Sequence, residues 1–325
     1  MGDAGLTAAG VPPEVEAAAR RRSEARADGD WSTADRLRGE IEAAGWRVID
    51  SGVRYRLERA SPPSVEVEGA VRYGRSEDVP SLLDQSDTGF ASVIVLAGGD
   101  ADELRGCVEA LQRHAPPGVD AVVVFDGVEA TPDLDTRNVL LDTVRTSARL
   151  GRGAALNIGI RRSRAPVVIV LDPWIVPTGD MISPLVEALG DPGVAVAGPF
   201  GLASADLRRF EAVHGEGGPV DAVAIAGSAM AFRRRDAVAR GPIDEGFRFP
   251  SSLDIWWSLA LRDAGEDEPP RRAVVVPGLA LARGEPSAKP SGNLPDRDRM
   301  AKRNFYRLQD RYRTRLDLAI PSATA

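Results

Sequence analysis

The sequence predicts an α/β protein: a mostly parallel, twisted sheet flanked by helices, preceded by a small helical hairpin. Three observations carry this. Short β-branched runs at 92–96, 119–125, 167–171 and 194–197 alternate with helical patterns through the middle of the chain. The stretch 150–178 opens on Gly151 and Gly153, continues through a small apolar helix face, and passes Pro166 into the uninterrupted apolar run 167–171. Asp172 then stands where that run stops, and in open α/β sheets ligands bind beyond the carboxyl ends of the strands. Asp172 is therefore a candidate site residue.

A chain of 325 residues can hold one large domain and a small module. With 43% hydrophobic and 27% charged residues it is globular, and a net charge of -7 gives no pull toward nucleic acid or anionic membrane, so DNA is not an expected partner. Basic residues are almost all arginine, with lysine only at Lys289 and Lys302. Cys107, His114 and His214 leave almost no material for Cys/His metal sites, disulfides or a Cys–His dyad. No basic start leads into an apolar core and no apolar run reaches spanning length, so a cytoplasmic location is expected.

Residues 14–27 read as a helix broken at Asp28-Gly29-Asp30. A second helix follows, capped by Ser32 or Thr33, with Ala34, Leu37, Ile41 and Ala44 at helical spacing. Gly45 stops it, and 46–57 reads as one or two short strands turning at Ser51-Gly52. Residues 58–89, rich in Ser, Pro, Glu and Asp without periodicity, read as a linker. From 90 the pattern is βαβ: strand 92–96, helix 102–114, strand 119–125 and a short strand at 144–147. After the central stretch come helix 180–189, strands 194–197, 221–226 and 229–233, and helix 254–264. An arginine-rich helix at 296–318 carries Ala301, Phe305, Leu308, Tyr312 and Leu316 on one face and is expected to pack on the domain. The expected divisions are 1–57, 58–89, 90–285 and 286–325.

A nicotinamide-binding fold needs G-x-G-x-x-G/A after its first strand, and neither Gly151-Arg152-Gly153 nor Gly98-Gly99 meets that spacing. The order of motifs instead resembles family 2 glycosyltransferases of the GT-A type. It runs through SVIVLAGGDADELRGCVEALQ (92–112), VVVFDG (122–127), GRGAALNIGI (151–160), VIVLDPW (168–174), GPIDEGFRF (241–249) and SSLDIWWSLALRDAG (251–265). A separate segment, 24–57, resembles the small C-terminal module of cysteinyl-tRNA synthetases through Asp30-Trp31, Ala34-Asp35, Arg38 and Gly45. None of the synthetase's catalytic motifs accompany it. A packing hairpin is the first reading of this module and tRNA contact the alternative.

The resemblance implies a sugar moved from a nucleotide-sugar donor to an acceptor, which the sequence leaves open among sugar, lipid-linked and protein acceptors. It places Asp254 at the base position, Asp172 at the first acid of the Asp-x-Asp metal motif, Asp126 near the nucleoside, and Gly153 and Asn157 in the donor-side helix. Such chemistry needs a carboxylate to take the acceptor's proton and a cation to stabilise the leaving diphosphate. Four departures bear on this: Trp174 stands at the second acid of the metal motif, Trp256 and Leu253 at acids of the acceptor-side helix, and Leu156 at an arginine. No histidine follows near 279–283. Three outcomes stay open: manganese or magnesium held by Asp172 with diphosphate oxygens, a diphosphate neutralised by Arg283, Lys289 or another arginine, or a protein that binds a nucleotide sugar without turning it over. A sugar nucleotidyltransferase, suggested by Leu96-Ala97-Gly98-Gly99, is disfavoured because the acids at 100, 102 and 103 would repel phosphates. Trp174, Trp256 and Trp257 are expected to form an aromatic wall beside the two acids.

Overall fold

The chain divides into two units, residues 1–64 and 65–325. The structure, a computed structural model, describes residues 11–320 apart from 52–53, 61, 99, 129–131, 135–136, 214, 216, 248–251, 266–267 and 285–293. Expectations that involve Gly52, Gly99, His214, Ser251 and Lys289 lie outside the described residues.

In the first unit, helices α1 (Pro13–Ala27) and α2 (Trp31–Ala43) form the hairpin. Strands β1 (Trp46–Ser51) and β2 (Arg54–Arg59) then pair antiparallel. Val15, Ala18, Ala19, Leu37, Ile41 and Trp46 close a small core. The cap of α2 is Asp30, whose carboxylate accepts from Thr33 N–H at 3.0 Å, rather than Ser32 or Thr33. Arg22 donates to both oxygens of Asp50 at 2.9 and 3.0 Å, which holds that carboxyl below its ordinary range.

The second unit begins inside the expected linker. Strands β3 (Val65–Val67) and β4 (Ala70–Tyr73) form a hairpin, and β4 runs parallel beside a strand of the main sheet. Residues 58–89 are therefore partly sheet rather than all linker. Next come β5 (Ala91–Ala97), α3 (Ala101–His114), β6 (Val119–Phe125), β7 (Leu140–Thr146), α4 (Arg152–Arg162) and β8 (Val167–Leu171). The acids near 100 find a use as a helix cap: Asp100 accepts from the N–H groups of Asp102 and Glu103. β9 (Ile175–Pro177), α5 (Ile182–Ala188), β10 (Val194–Gly198), β11 (Gly201–Ala203), β12 (Glu211–Val213), β13 (Val220–Ala222) and β14 (Ala224–Ile225) follow. The chain then forms β15 (Ala229–Arg233), α6 (Arg234–Arg240), α7 (Leu253–Arg262), β16 (Arg272–Val275), β17 (Leu281–Arg283) and α8 (Leu294–Tyr312).

The main sheet has ten strands in the order β13-β16-β10-β15-β8-β5-β6-β7-β4-β3. Its centre, β8-β5-β6-β7, is parallel, while β15 runs antiparallel between β8 and β10. Two apolar layers cover the sheet. One includes Leu156, Phe232, Leu259, Trp257, Leu308 and Tyr312; the other includes Leu104, Val108, Phe125, Ile169 and Leu185. The basic tail helix α8 packs as expected through Leu308 and Tyr312, whereas Leu316 lies beyond it and is exposed. Among the described residues no helix is long and apolar enough to cross a membrane.

Buried arginines account for part of the unusual composition. Arg233 donates to the carbonyls of Leu189, Asp191 and Val194, and Arg262 to those of Val223, Arg271 and Leu318. They saturate backbone acceptors where elements end inside the protein. Burial pushes the Arg262 guanidinium down to about 10.

Candidate active site at the carboxyl edge of the sheet

β5 has β6 on one side and β8 on the other, and the chain leaves the ends of these strands at one edge of the sheet. Asp172 follows the last residue of β8 and is 3% exposed. Its backbone N–H donates to Ser228 O at 2.9 Å, which fixes the residue against the chain entering β15. The Arg152 Nη1 group donates to Asp172 Oδ1 at 2.9 Å. Burial pushes the Asp172 carboxyl up, with the Arg152 charge and hydrogen bond opposing that shift and the nearby Asp254 charge adding to it.

The second terminal nitrogen of Arg152 donates to Gly227 O at 2.9 Å, and Gly227 N–H donates to Asp254 Oδ2 at 3.0 Å. One guanidinium and the carbonyl and N–H of one glycine residue thus join Asp172 to Asp254. Gly227 cannot easily be larger, since a Cβ there would come within 3.1 Å of the Asp254 Cβ. Asp254 lies in the first turn of α7, and its Oδ1 accepts from Ile255 N–H at 3.0 Å. Burial raises the Asp254 carboxyl above its ordinary value, against the pull of the two N–H groups and of Arg152. A raised carboxyl partly open to a cleft suits a group that takes a proton near neutral pH. Beside Asp254 a narrow cleft is lined by Arg152, Gly227 and apolar side chains that include Leu156, Phe232 and Trp257.

The other three candidates shape the surroundings of this pair. Asp126 follows β6, and its two oxygens accept from the N–H groups of Leu150 and Gly151 at 2.7 and 2.8 Å, with Thr146 Oγ1 at 3.1 Å. It ties the end of β6 to the start of α4. Gly153 lets α4 approach the Asp244–Phe247 turn, because a Cβ would meet Asp244 O at 2.9 Å. Asn157 clamps the same turn: its amide donates to Ile243 O and Glu245 Oε1 and accepts from Ile243 N–H. Arg307 of α8 bonds Asp244 Oδ2 at 2.6 Å from the other side, which gives the KRNFYR segment (302–307) a bracing role.

The tryptophan wall does not form. Trp256 and Trp257 are 7% and 1% exposed and pack with Phe247 and Phe232 in the core. α7 is apolar nearly all round, so both indoles are enclosed. Trp174 alone stays partly exposed, on the turn after Asp172.

Magnesium and manganese prefer several oxygen ligands. Among the described residues no three His, Cys, Asp or Glu side chains converge. Asp172 already bonds Arg152, and Trp174 offers no oxygen. Unit charges roughly 4 Å apart interact by about 4 kcal/mol at an effective dielectric near 20, and a dication beside a guanidinium by roughly twice that. The described donor set does not fit a divalent ion unless Arg152 moves away.

The larger unit has the GT-A type of glycosyltransferase fold, a mixed α/β sheet flanked by helices. A solved GalNAc-T7 structure with UDP, GalNAc and Mn2+ superposes with a TM-score of 0.52 at 16% identity, covering 69% of this chain and 48% of that one. A mannosyltransferase from Pyrobaculum calidifontis, solved with GDP-Man and Mn2+, gives a TM-score of 0.45 at 16% identity over 74% of this chain and 75% of that one. Residues 92–237 match the family described as Glycosyl transferase family 2, which bears out the resemblance over that segment. Residues 8–55 match the Cysteinyl-tRNA ligase anticodon binding domain. A cysteine–tRNA ligase of Opitutus terrae is 50% identical over 50 residues, which is 15% of this chain and 11% of that ligase.

Two members of the site escaped sequence reasoning, Arg152 and Gly227. Arg152 sits in a Gly-Arg-Gly string without a pattern of its own, and Gly227 is 75 residues away from it. Only the folded sheet edge brings them together.

Proposed function

We propose that this protein is a glycosyltransferase that moves a sugar from a nucleotide-sugar donor to an acceptor hydroxyl. Asp254 takes the hydroxyl proton as the oxygen attacks the anomeric carbon, the bond from that carbon to the diphosphate oxygen breaks, and the nucleoside diphosphate leaves. The observation that carries the reading is the joining of Asp172 and Asp254 through Arg152 and Gly227 at the carboxyl edge of a sheet whose 92–237 segment matches this family. Asp254 itself lies outside that matched segment, so its role rests on geometry: a carboxyl raised by burial, beside a cationic group, in the first turn of α7.

In this reading Asp172 and Arg152 face the diphosphate, Asp126 shapes the nucleoside side, and Gly153 and Asn157 set the distance between α4 and the Asp244–Phe247 turn. The structures solved with UDP and GDP-Man make uridine and guanosine diphosphate sugars the first donors to try. A second reading, a nucleotide-sugar binding protein without turnover, draws on Trp174 at the second acid position and on the ion pair that already occupies Asp172. Incubation of the purified chain with UDP- and GDP-sugars, followed by measurement of released nucleoside diphosphate, separates the two. Release abolished by Asp254→Asn supports transfer; tight donor binding with no release supports the second reading.

A further inference from the structure

The described side chains offer the donor's diphosphate no cluster of metal ligands, yet two arginines stand beside the turn that carries Asp172. Resting on the nucleotide-sugar reading above, we propose that Arg152 and Arg283 take the charge of the donor diphosphate where the family resemblance implies a divalent cation. Arg152 is anchored from below by Asp172 and Gly227 O, each using one N–H of a different terminal nitrogen. Among the described residues its Nε–H and the second hydrogen on each terminal nitrogen have no partner, and its side chain is 16% exposed. An anchored fork with free donors is the geometry that grips phosphate oxygens in pairs.

Arg283 is held beside the same turn by strand pairing. β17 pairs antiparallel with β9 so that Arg283 lies opposite Ile175, and Gly284 N–H donates to Trp174 O at 2.8 Å. The strand thus holds Arg283 against the Asp172-Pro173-Trp174 turn. Its guanidinium lies over the Phe200 ring at 4.9 Å from the centroid, is exposed, and among the described residues bonds no carboxylate. Stacking on a ring fixes the plane of the fork while leaving its donors open. Asp172 in this arrangement is the anchor of a cation rather than a ligand of one.

The test is calorimetric binding of UDP and GDP, and of UMP and GMP, to the full chain in EDTA and in MnCl2. The expected result has a diphosphate bound with the same affinity, within about twofold, in both buffers, and at least about tenfold more tightly than its monophosphate. Arg283→Gln, at an exposed position, should erase most of that tenfold preference without moving the thermal midpoint. Arg152→Lys, which keeps the charge on Asp172 but loses the fork, should weaken the diphosphate about tenfold while the protein still melts cooperatively. A diphosphate that binds only in MnCl2 overturns the arginine proposal and leaves the glycosyltransferase reading standing. Metal-independent binding that survives Arg283→Gln unchanged also overturns it. No binding of either diphosphate in either buffer overturns both readings together.

Discussion

Arg152 reaches Asp172 with one terminal nitrogen and the Gly227 carbonyl with the other, so a single cation spans the edge between β8 and the chain entering β15. The N–H of the same residue, Gly227, donates to Asp254. Each carboxyl is raised by burial, and each is restrained by this one guanidinium. The electrostatics of the two acids are therefore coupled through a residue that belongs to neither acidic motif.

Removing that cation should make stability depend on pH. In Arg152→Met the Asp172 carboxyl loses the charge that lowers its pKa, so its folded value rises further above the unfolded 3.8. The folded state then holds a proton that the unfolded state has released, so the stability contribution is present in acid and is lost as pH rises through the raised value. Chemical denaturation should show a deficit of about 3 kcal/mol against wild type at pH 8, shrinking toward about 1 kcal/mol near pH 4.5. A deficit that does not change with pH would show that Asp172 is indifferent to Arg152.

Asp254→Asn should trade activity for stability. The asparagine oxygen can keep the bond from Gly227 N–H but not that from Ile255 N–H as well, and this loss offsets only part of the removed cost of burying a charge. At pH 7.5 the variant should be more stable by about 0.5–2 kcal/mol in thermal melts and slower in transfer by roughly a hundredfold to ten-thousandfold. In the wild type the rate should climb with pH through a value above the ordinary carboxylate range, because the base acts only when ionised and burial raises its pKa.

Arg262 supports the fold away from the chemistry. Its substitution by methionine leaves the carbonyls of Val223, Arg271 and Leu318 without their donor. Denaturation should show a loss of about 3 kcal/mol. Donor affinity of the folded fraction should be unchanged.

Gly153→Ala should be felt at the turn that α4 touches. The new methyl would sit 2.9 Å from Asp244 O and 3.2 Å from the Glu245 Cα, both backbone atoms that yield little. A loss of about 1–3 kcal/mol is expected, together with weaker donor binding. Asn157→Ala, which unlocks the same turn by removing its bonds to Ile243, should reproduce both effects.

Much of the central sheet was legible because its strands are short apolar runs cut off by glycine, proline or acid. β8 followed by Asp172 is the clearest case. β3 and β4 were not legible: Val65 and Val71 are exposed, no alternation marks a buried face, and the strands are held by pairing along the sheet edge. Trp256 and Trp257 stood beside a candidate acid in sequence, yet helix geometry turns them into the core while Asp254 points to Gly227. Arg152, Arg233 and Arg262 act through partners far along the chain, so their roles as counter-charge and carbonyl donors leave no local signature. The acids of the site could be proposed from motif order, but the cation between them could not.

The role of Asp254 is read directly from nucleoside diphosphate release from UDP- and GDP-sugars by wild type and Asp254→Asn at matched donor occupancy. Both proteins should bind the same donor with comparable affinity, and release should fall at least about a hundredfold in the variant. Equal release rates from the two proteins would remove Asp254 from the chemistry. Donor binding by the wild type with no release would show a binding protein built on a transferase fold.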